Sequence, residues 1–209
     1  MLERIVAGLQ ATSPAELASV VAGVAYGLLA VRQSRLCWVF GGVSSAILAG
    51  LAAGARLPMQ ALLQLVYVAM AFYGWWHWSR AARAGAAGEG MVGAAPPIGT
   101  WPVRTHVALL AAIALATVLL APWVGDATGA AWPRLDTATL LASLAATWMV
   151  ARVRLENWLY WIVIDAVSLW LYAAQGLAFV ALLYLVYLGT AVYGWIEWRG
   201  RWRKQVVAA

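Results

Sequence analysis

The chain has 209 residues, of which 65% are hydrophobic and only 11% charged, with a mean hydropathy of +0.79. A soluble domain carries about 25% charged residues, so this balance excludes an ordinary aqueous core and points to a lipid bilayer. The net charge of +6 would suit a nucleic-acid partner, but the arginine distribution accounts for it without one, and the lone Cys37 excludes an intramolecular disulfide.

Near the N-terminus, Ser13-Pro14-Ala15-Glu16 reads as a helix start rather than a cleaved signal peptide. Ser serves as N-cap, Pro as the first helical residue and Glu as the reciprocal cap three residues on. Apolar runs bounded by charges and turn residues then predict seven spans, near 15–31, 36–54, 58–79, 104–123, 136–151, 157–174 and 178–198. The connections at 32–35, 55–57, 152–156 and 175–177 are short. The exception is 81–101, AARAGAAGEGMVGAAPPIGTW, whose Gly, Ala and Pro content predicts a flexible loop. No proline falls in the middle of a predicted span.

Seven spans put the termini on opposite sides. One side receives Arg32, Arg35, Arg80, Arg83, Arg104, Arg152, Arg154, Arg199, Arg201, Arg203 and Lys204; the other receives Arg4, Arg56 and Arg134. The positive-inside rule predicts a cytoplasmic C-terminus, an external N-terminus, 81–101 as a cytoplasmic loop and 199–209 as a basic cytoplasmic tail.

The hexapeptides 73-YGWWHW-78 and 193-YGWIEW-198 expose a repeat. A gapless shift of 120 residues pairs Arg32 with Arg152, Trp38 with Trp158, Leu57 with Leu177 and Tyr67 with Tyr187, and 18–78 matches 138–198 at 21 of 61 positions. Two three-helix units, 15–79 and 136–198, flank a linker helix at 104–123. Equivalent spans lie four apart, so both units cross the membrane in the same direction. This predicts an all-α integral membrane fold with a three-plus-one-plus-three plan of parallel repeats, as in the sugar-transporting SWEET proteins, with substrate near the midplane between the repeats.

Candidate site residues follow helical faces. In the sixth span Trp158, Trp161, Asp165, Ser168 and Tyr172 fall at i, i+3, i+7, i+10 and i+14. Asp165 is the only acid well inside a span, where a carboxylate costs about 2.5 kcal/mol or more, so it should meet a substrate or a neighbouring helix. In the third span Gln60, Gln64, Tyr67 and Trp75 repeat the pattern, and the amides suit either substrate or interhelical hydrogen bonds. In the seventh, Tyr184, Tyr187 and Trp195 occupy the equivalent stripe. Aromatic walls with amides and one carboxylate suit a flat, positively charged aromatic ligand. Trp78, Trp198, Trp202, Trp123 and Trp132 lie near span ends and are expected to anchor the interface. Asn157 either caps the sixth span or lines the site, Gln175 closes a turn, and Glu197 forms a surface ion pair beside Arg199. His77 and the near-central His106 lack spaced ligand partners, so no metal site is expected. Intramembrane catalysis would need paired acids, a Ser–His pair or metal ligands at membrane depth; these do not assemble. A purely structural membrane protein would not need Asp165, Gln60 and Gln64 inside spans.

Over 156-ENWLYWIVIDAVSLWLYAAQG-176, 180-VALLYLVYLGTAVYGWIEW-198 and 61-ALLQLVYVAMAFYGWWHW-78, the sequence resembles the PnuC family of vitamin transporters, from about residue 15 to 200. The resemblance implies a SWEET-fold homotrimer in a bacterial inner membrane and no enzyme activity. It also implies facilitated diffusion of a B-vitamin precursor, chiefly nicotinamide riboside, trapped by cytoplasmic phosphorylation. Related branches take thiamine or riboflavin. In the nicotinamide riboside carriers an Asn stands where this chain has Asp165, which keeps the thiamine branch open.

Overall fold

The computed structural model describes residues 2–56, 58–86, 96–128 and 132–208. Among them are eight helices: α1 (Leu2–Ala11), α2 (Pro14–Val31), α3 (Leu36–Gly54), α4 (Pro58–Ala86), α5 (Val103–Thr128), α6 (Pro133–Ala151), α7 (Asn157–Ala174) and α8 (Ala178–Ala208). The seven predicted spans correspond to α2–α8; α1 is a short additional helix packed on α8, with Gly8 against Phe179. Leu57 and the middle of the predicted loop, 87–95, lie outside the described residues.

Local chemistry sets the helix ends. At α2 the Ser13 N–H donates to Glu16 Oε2 (2.7 Å) and the Glu16 N–H to Ser13 Oγ (3.3 Å), a reciprocal capping box. The ends of α2 and α6 turn through left-handed residues, Gln33 (φ 54°) and Val153 (φ 53°), which are 120 apart. In α2, Gln33 N donates to Ala30 O and Ser34 N to Leu29 O; in α6, Val153 N donates to Val150 O and Arg154 N to Met149 O. The ends of α3 and α7 use Arg56 (φ 58°) and Gly176 (φ 76°), again 120 apart.

Some boundaries differ from the sequence expectation. Helix α4 runs on to Ala86, so 81–86 is helical rather than loop, and α8 continues through the basic tail to Ala208. Helix α5 carries Pro122 inside it, beyond which it continues to Thr128. Residues 96–101 are tied down rather than free. Pro96 O accepts from Gln33 Nε2 (2.9 Å), Ile98 N donates to Gln205 Oε1 (3.1 Å), and Gly99 pairs with the α6–α7 connection through Val153 O and Leu155 N. Trp101 N donates to Glu156 Oε1 (3.0 Å). Composition marks Gly, Ala and Pro as loop formers but does not register the carbonyls and side chains waiting to pair with that backbone.

Among the described residues, four helices are long and apolar enough to cross a membrane by length and hydropathy: Pro14–Val31, Leu36–Gly54, Val103–Asp126 and Ala178–Ala208. The other long helices, α4, α6 and α7, carry the glutamines, hydroxyls and Asp165 that face an internal cavity, which lowers their mean hydropathy. Helix α3 packs against α2 and α4, and α7 against α6 and α8. Across the middle, α2 meets α8 and α4 meets α6, while α5 rests on α6.

Two tryptophans join these halves, and two more pack on them. Trp78 Nε1 donates to Ala151 O (3.1 Å), and Trp198 Nε1 donates to Val31 O (3.0 Å) and Ala30 O (3.2 Å). Val31 O and Ala151 O are terminal carbonyls that the turns ending α2 and α6 leave without a backbone donor among the described residues. Trp38 stands edge-on to Trp78 (5.6 Å, 90°) and Trp158 edge-on to Trp198 (5.4 Å, 86°). Trp78 and Trp198 are 1% and 0% exposed. They are interior clasps and not the interfacial anchors that their positions near span ends suggested; Trp123 and Trp132, by contrast, are exposed.

Gly74 and Gly194 make this packing possible: a Cβ on Gly194 would lie 2.6 Å from the Trp158 indole, and one on Gly74 would collide with Trp38. Gly74→Ala and Gly194→Ala are each expected to destabilise the protein by about 1–3 kcal/mol through overpacking. Gly50→Ala, where a Cβ meets nothing within 4 Å, should leave stability near wild type. Thermal unfolding of the three variants in detergent checks this.

Candidate functional site

Above the four tryptophans the helices enclose a cavity of about 1020 Å³. Its floor is formed by Trp38 and Trp158 with Ala30, Ala71, Val150 and Ala191. Its other end reaches the exposed Gln60 and Trp123. The floor lies toward the arginine-rich end of the bundle, so the cavity is closed there and open at the opposite end.

Nine candidate residues line this space. Gln60, Gln64 and Tyr67 come from α4, Trp158, Trp161, Asp165 and Ser168 from α7, and Tyr184 and Tyr187 from α8. The heptad-like spacing on each helix is what brings them to one face. Three others do not reach it. Asn157 begins α7 beneath the floor, fully buried, with Nδ2 donating to Arg154 O (2.6 Å). Trp75 and Trp195 lie two turns beyond Tyr67 and Tyr187, past the floor. There the guanidinium of Arg35 covers Trp75 (5.3 Å) and that of Arg199 covers Trp195 (5.7 Å).

The second half of the molecule supplies bulk and charge where the first supplies space and amides. Asp165 corresponds at the 120-residue offset to Ser45, Trp161 to Gly41 and Tyr184 to Gln64, and all six line the cavity. The two walls of the cavity are therefore chemically different. On the second-half side Tyr172 stacks on Tyr184 (5.2 Å, 11°), and Tyr184 meets Tyr187 edge-on (6.0 Å, 82°).

The lining contains two carboxylates, Asp136 and Asp165, and no Lys, Arg or His among the described residues. Asp165 is 4% exposed and has no hydrogen-bond partner among the described residues. Burial of an uncompensated carboxylate is costly, so Asp165 is stable here either as the neutral acid or beside a cation, and a cationic ligand would supply the second. The indole N–H groups of Trp38 and Trp158 and the Tyr26 hydroxyl, on residues that line the cavity, are also buried without a partner among the described residues.

Sequence periodicity did not single out Tyr26, Ser45, Asp136 or the hydroxyls Thr137, Thr139, Ser143 and Thr147 of α6, all of which line the cavity. Thr139, Ser143 and Thr147 carry a detectable signal, recurring every four residues. Other polar residues settle elsewhere. His106 is not central: it lies in the first turn of α5, with Nδ1 3.1 Å from the Tyr160 hydroxyl and Nε2 3.8 Å from Glu156. Glu197 pairs with Arg201 (2.9 Å) rather than with Arg199. Gln175 donates to Leu171 O (3.3 Å) in the turn ending α7.

A family model described as nicotinamide mononucleotide transporter matches residues 13–200. The riboflavin/roseoflavin transporter RibM of Streptomyces davaonensis is 31% identical over 84% of this chain and 80% of its own. The nicotinamide riboside transporter PnuC of Neisseria mucosa is 30% identical over 77% of this chain and 62% of its own, and that of Escherichia coli is 25% identical over 68% and 67%. The crystal structure of the vitamin B3 transporter PnuC matches the fold with a TM-score of 0.71 at 24% identity, covering 91% of this chain and 82% of that one. The matched proteins are transporters and not enzymes.

Because Cys37 is the only cysteine and is buried, introduced thiols report cavity access cleanly. Gln60→Cys and Ser45→Cys are expected to react with a polar maleimide in detergent-solubilised folded protein, while Asn157→Cys and Cys37 stay unreactive. Equal labelling of Asn157→Cys and Ser45→Cys would contradict a closed floor.

Proposed function

The chain belongs to the nicotinamide mononucleotide transporter family, the PnuC vitamin transporters, and from that membership we propose that it carries nicotinamide riboside across a bacterial inner membrane. Transport is facilitated diffusion, and phosphorylation by a cytoplasmic kinase traps the product. The observation that carries the choice of a cationic substrate is Asp165, a buried carboxylate without a partner among the described residues, facing an aromatic cavity. Nicotinamide riboside is chosen among cations because it is the substrate named for two PnuC relatives. A pyridinium between Trp161 and the tyrosines of α8 gains both ionic and cation–π attraction. A mononucleotide would bring a phosphate into a lining with two carboxylates and no described base, which disfavours it.

Two alternatives each rest on one observation. Thiamine offers a thiazolium to the same carboxylate. Riboflavin is the vitamin for which the Streptomyces davaonensis relative RibM, 31% identical, is named, but a neutral ring leaves Asp165 uncompensated.

The chain works as a homotrimer with its N-terminus outside and its arginine-rich end in the cytoplasm. Its three-plus-one-plus-three plan places the three-helix repeats at 15–79 and 136–198 around the linker helix at 104–123. That plan is supported by the matched left-handed turns and by the tryptophan contacts that recur at an offset of 120. In this orientation the cavity opens outward and the tryptophan floor seals the cytoplasmic side.

Calorimetric titration of the purified protein with nicotinamide riboside, thiamine and riboflavin tests the substrate. Nicotinamide riboside is expected to bind, and Asp165→Ala and Trp161→Ala are each expected to abolish measurable binding without lowering the melting temperature. Wild-type affinity in both variants would mean that the ligand sits elsewhere.

A further inference from the structure

The α6 wall of the cavity has a one-sided hydrogen-bonding character. A Ser or Thr hydroxyl holds one proton and two acceptor lone pairs. Thr139 gives its proton to Leu135 O (2.9 Å), Ser143 to Thr139 O (2.7 Å) and Thr147 to Ser143 O (2.8 Å). Each oxygen keeps acceptor lone pairs, and all three residues line the cavity, where the Tyr67 hydroxyl lies beside Ser143. Spaced at i, i+4 and i+8, the three form a stripe about 12 Å long. Asp136, another acceptor when ionised, lines the cavity at the N-terminal end of the same helix.

Hydroxyls in a membrane helix commonly bond back to their own backbone wherever they point, so the stripe alone specifies nothing. Two further observations give it meaning. It lines the same cavity as Asp165, a polar side chain 96% buried and without a hydrogen-bond partner among the described residues. In addition, α6 packs on α4, the helix that contributes Gln60 and Gln64 to the cavity, so amide donors and acceptors flank the stripe.

We infer that Thr139, Ser143 and Thr147 form a subsite for the polyhydroxylated part of the ligand, accepting hydrogen bonds from sugar hydroxyls. The aromatic cation meanwhile rests against α7 and α8. This rests on the reading of the cavity as a site for an aromatic cation and extends it to a second recognition element. A sugar supplies several donors along one edge, which such a wall requires. Thiamine offers one alcohol and one amino group, fewer donors along one edge than a ribose, whereas a phosphorylated riboside keeps the 2′ and 3′ hydroxyls and is disfavoured by its phosphate alone.

The test uses the full-length purified protein and two probes sharing one pyridinium carboxamide: nicotinamide riboside and N-methylnicotinamide, which lacks the sugar. Wild type is expected to prefer the riboside by about 30-fold, from three modest hydrogen bonds. The Thr139→Val/Ser143→Ala/Thr147→Val variant is expected to bind both probes within about threefold of each other, with its affinity for N-methylnicotinamide unchanged. A folded variant that keeps the full preference overturns the subsite. So does an equal loss for both probes, which marks the wall as structural. Wild type binding both probes equally also overturns the sugar subsite while leaving the cation site standing, whereas binding neither removes both. Should the triple variant fail to fold, Ser143→Ala alone carries the comparison, with an expected loss of preference of about threefold.

Discussion

The arrangement depends on two indole N–H groups that cross between the halves: Trp78 to Ala151 O, and Trp198 to Val31 O. Helices end with carbonyls lacking donors, and inside a bilayer no water is available to cover them. The turns after α2 and α6 satisfy the carbonyls of Leu28, Leu29 and Ala30, and of Trp148, Met149 and Val150. The carbonyl that follows in each helix is the one the opposite half's tryptophan takes. Each half thus completes the other's helix end, and separating them would strand two acceptors and two donors. The edge-on packing of Trp38 and Trp158 against the same pair sets the cavity floor directly above this clasp.

A duplicated scaffold would by itself give a cavity with two similar walls. The chemistry arises where the copies have diverged: Asp165 against Ser45, Trp161 against Gly41, Tyr184 against Gln64. The first half leaves room and amides, and the second provides aromatic surface and the buried charge. Identical tryptophans are retained in the clasp and different residues in the cavity, which separates what holds the halves together from what recognises a ligand. Carriers that alternate access commonly rock one repeat against the other about the site, and the paired indoles lie at that junction.

Much of this was legible in the sequence. Hydrophobic runs located α2 to α8 to within a few residues at most ends, and the Ser13–Glu16 box was read correctly from four residues. Periodicity also brought Asp165, Trp161 and Gln64 to their cavity faces. What it could not supply was the partner of a face or the depth at which the cavity stops. Trp78 and Trp198 read as interfacial anchors because an amphipathic ring with one donor suits a headgroup and a helix-end carbonyl equally well. Trp75 and Trp195 continue the correct stripes but pass below the floor, a limit set by Trp38 and Trp158 from other helices. The α6 hydroxyls escaped notice because Ser and Thr in an apolar helix look innocuous until a cavity opens beside them. The 96–101 segment looked like linker because its partners, Gln33, Glu156 and Gln205, are far away in sequence.

The central claim is that an acidic, acceptor-rich cavity closed by a tryptophan floor selects a cationic nucleoside over its phosphorylated product. Uptake into proteoliposomes of purified protein, with labelled nicotinamide riboside and labelled nicotinamide mononucleotide compared at equal concentration, tests it most directly. The riboside should equilibrate across the membrane without an ion gradient, while the mononucleotide stays at the level of protein-free vesicles. Mononucleotide entry at a rate comparable to the riboside would contradict the account.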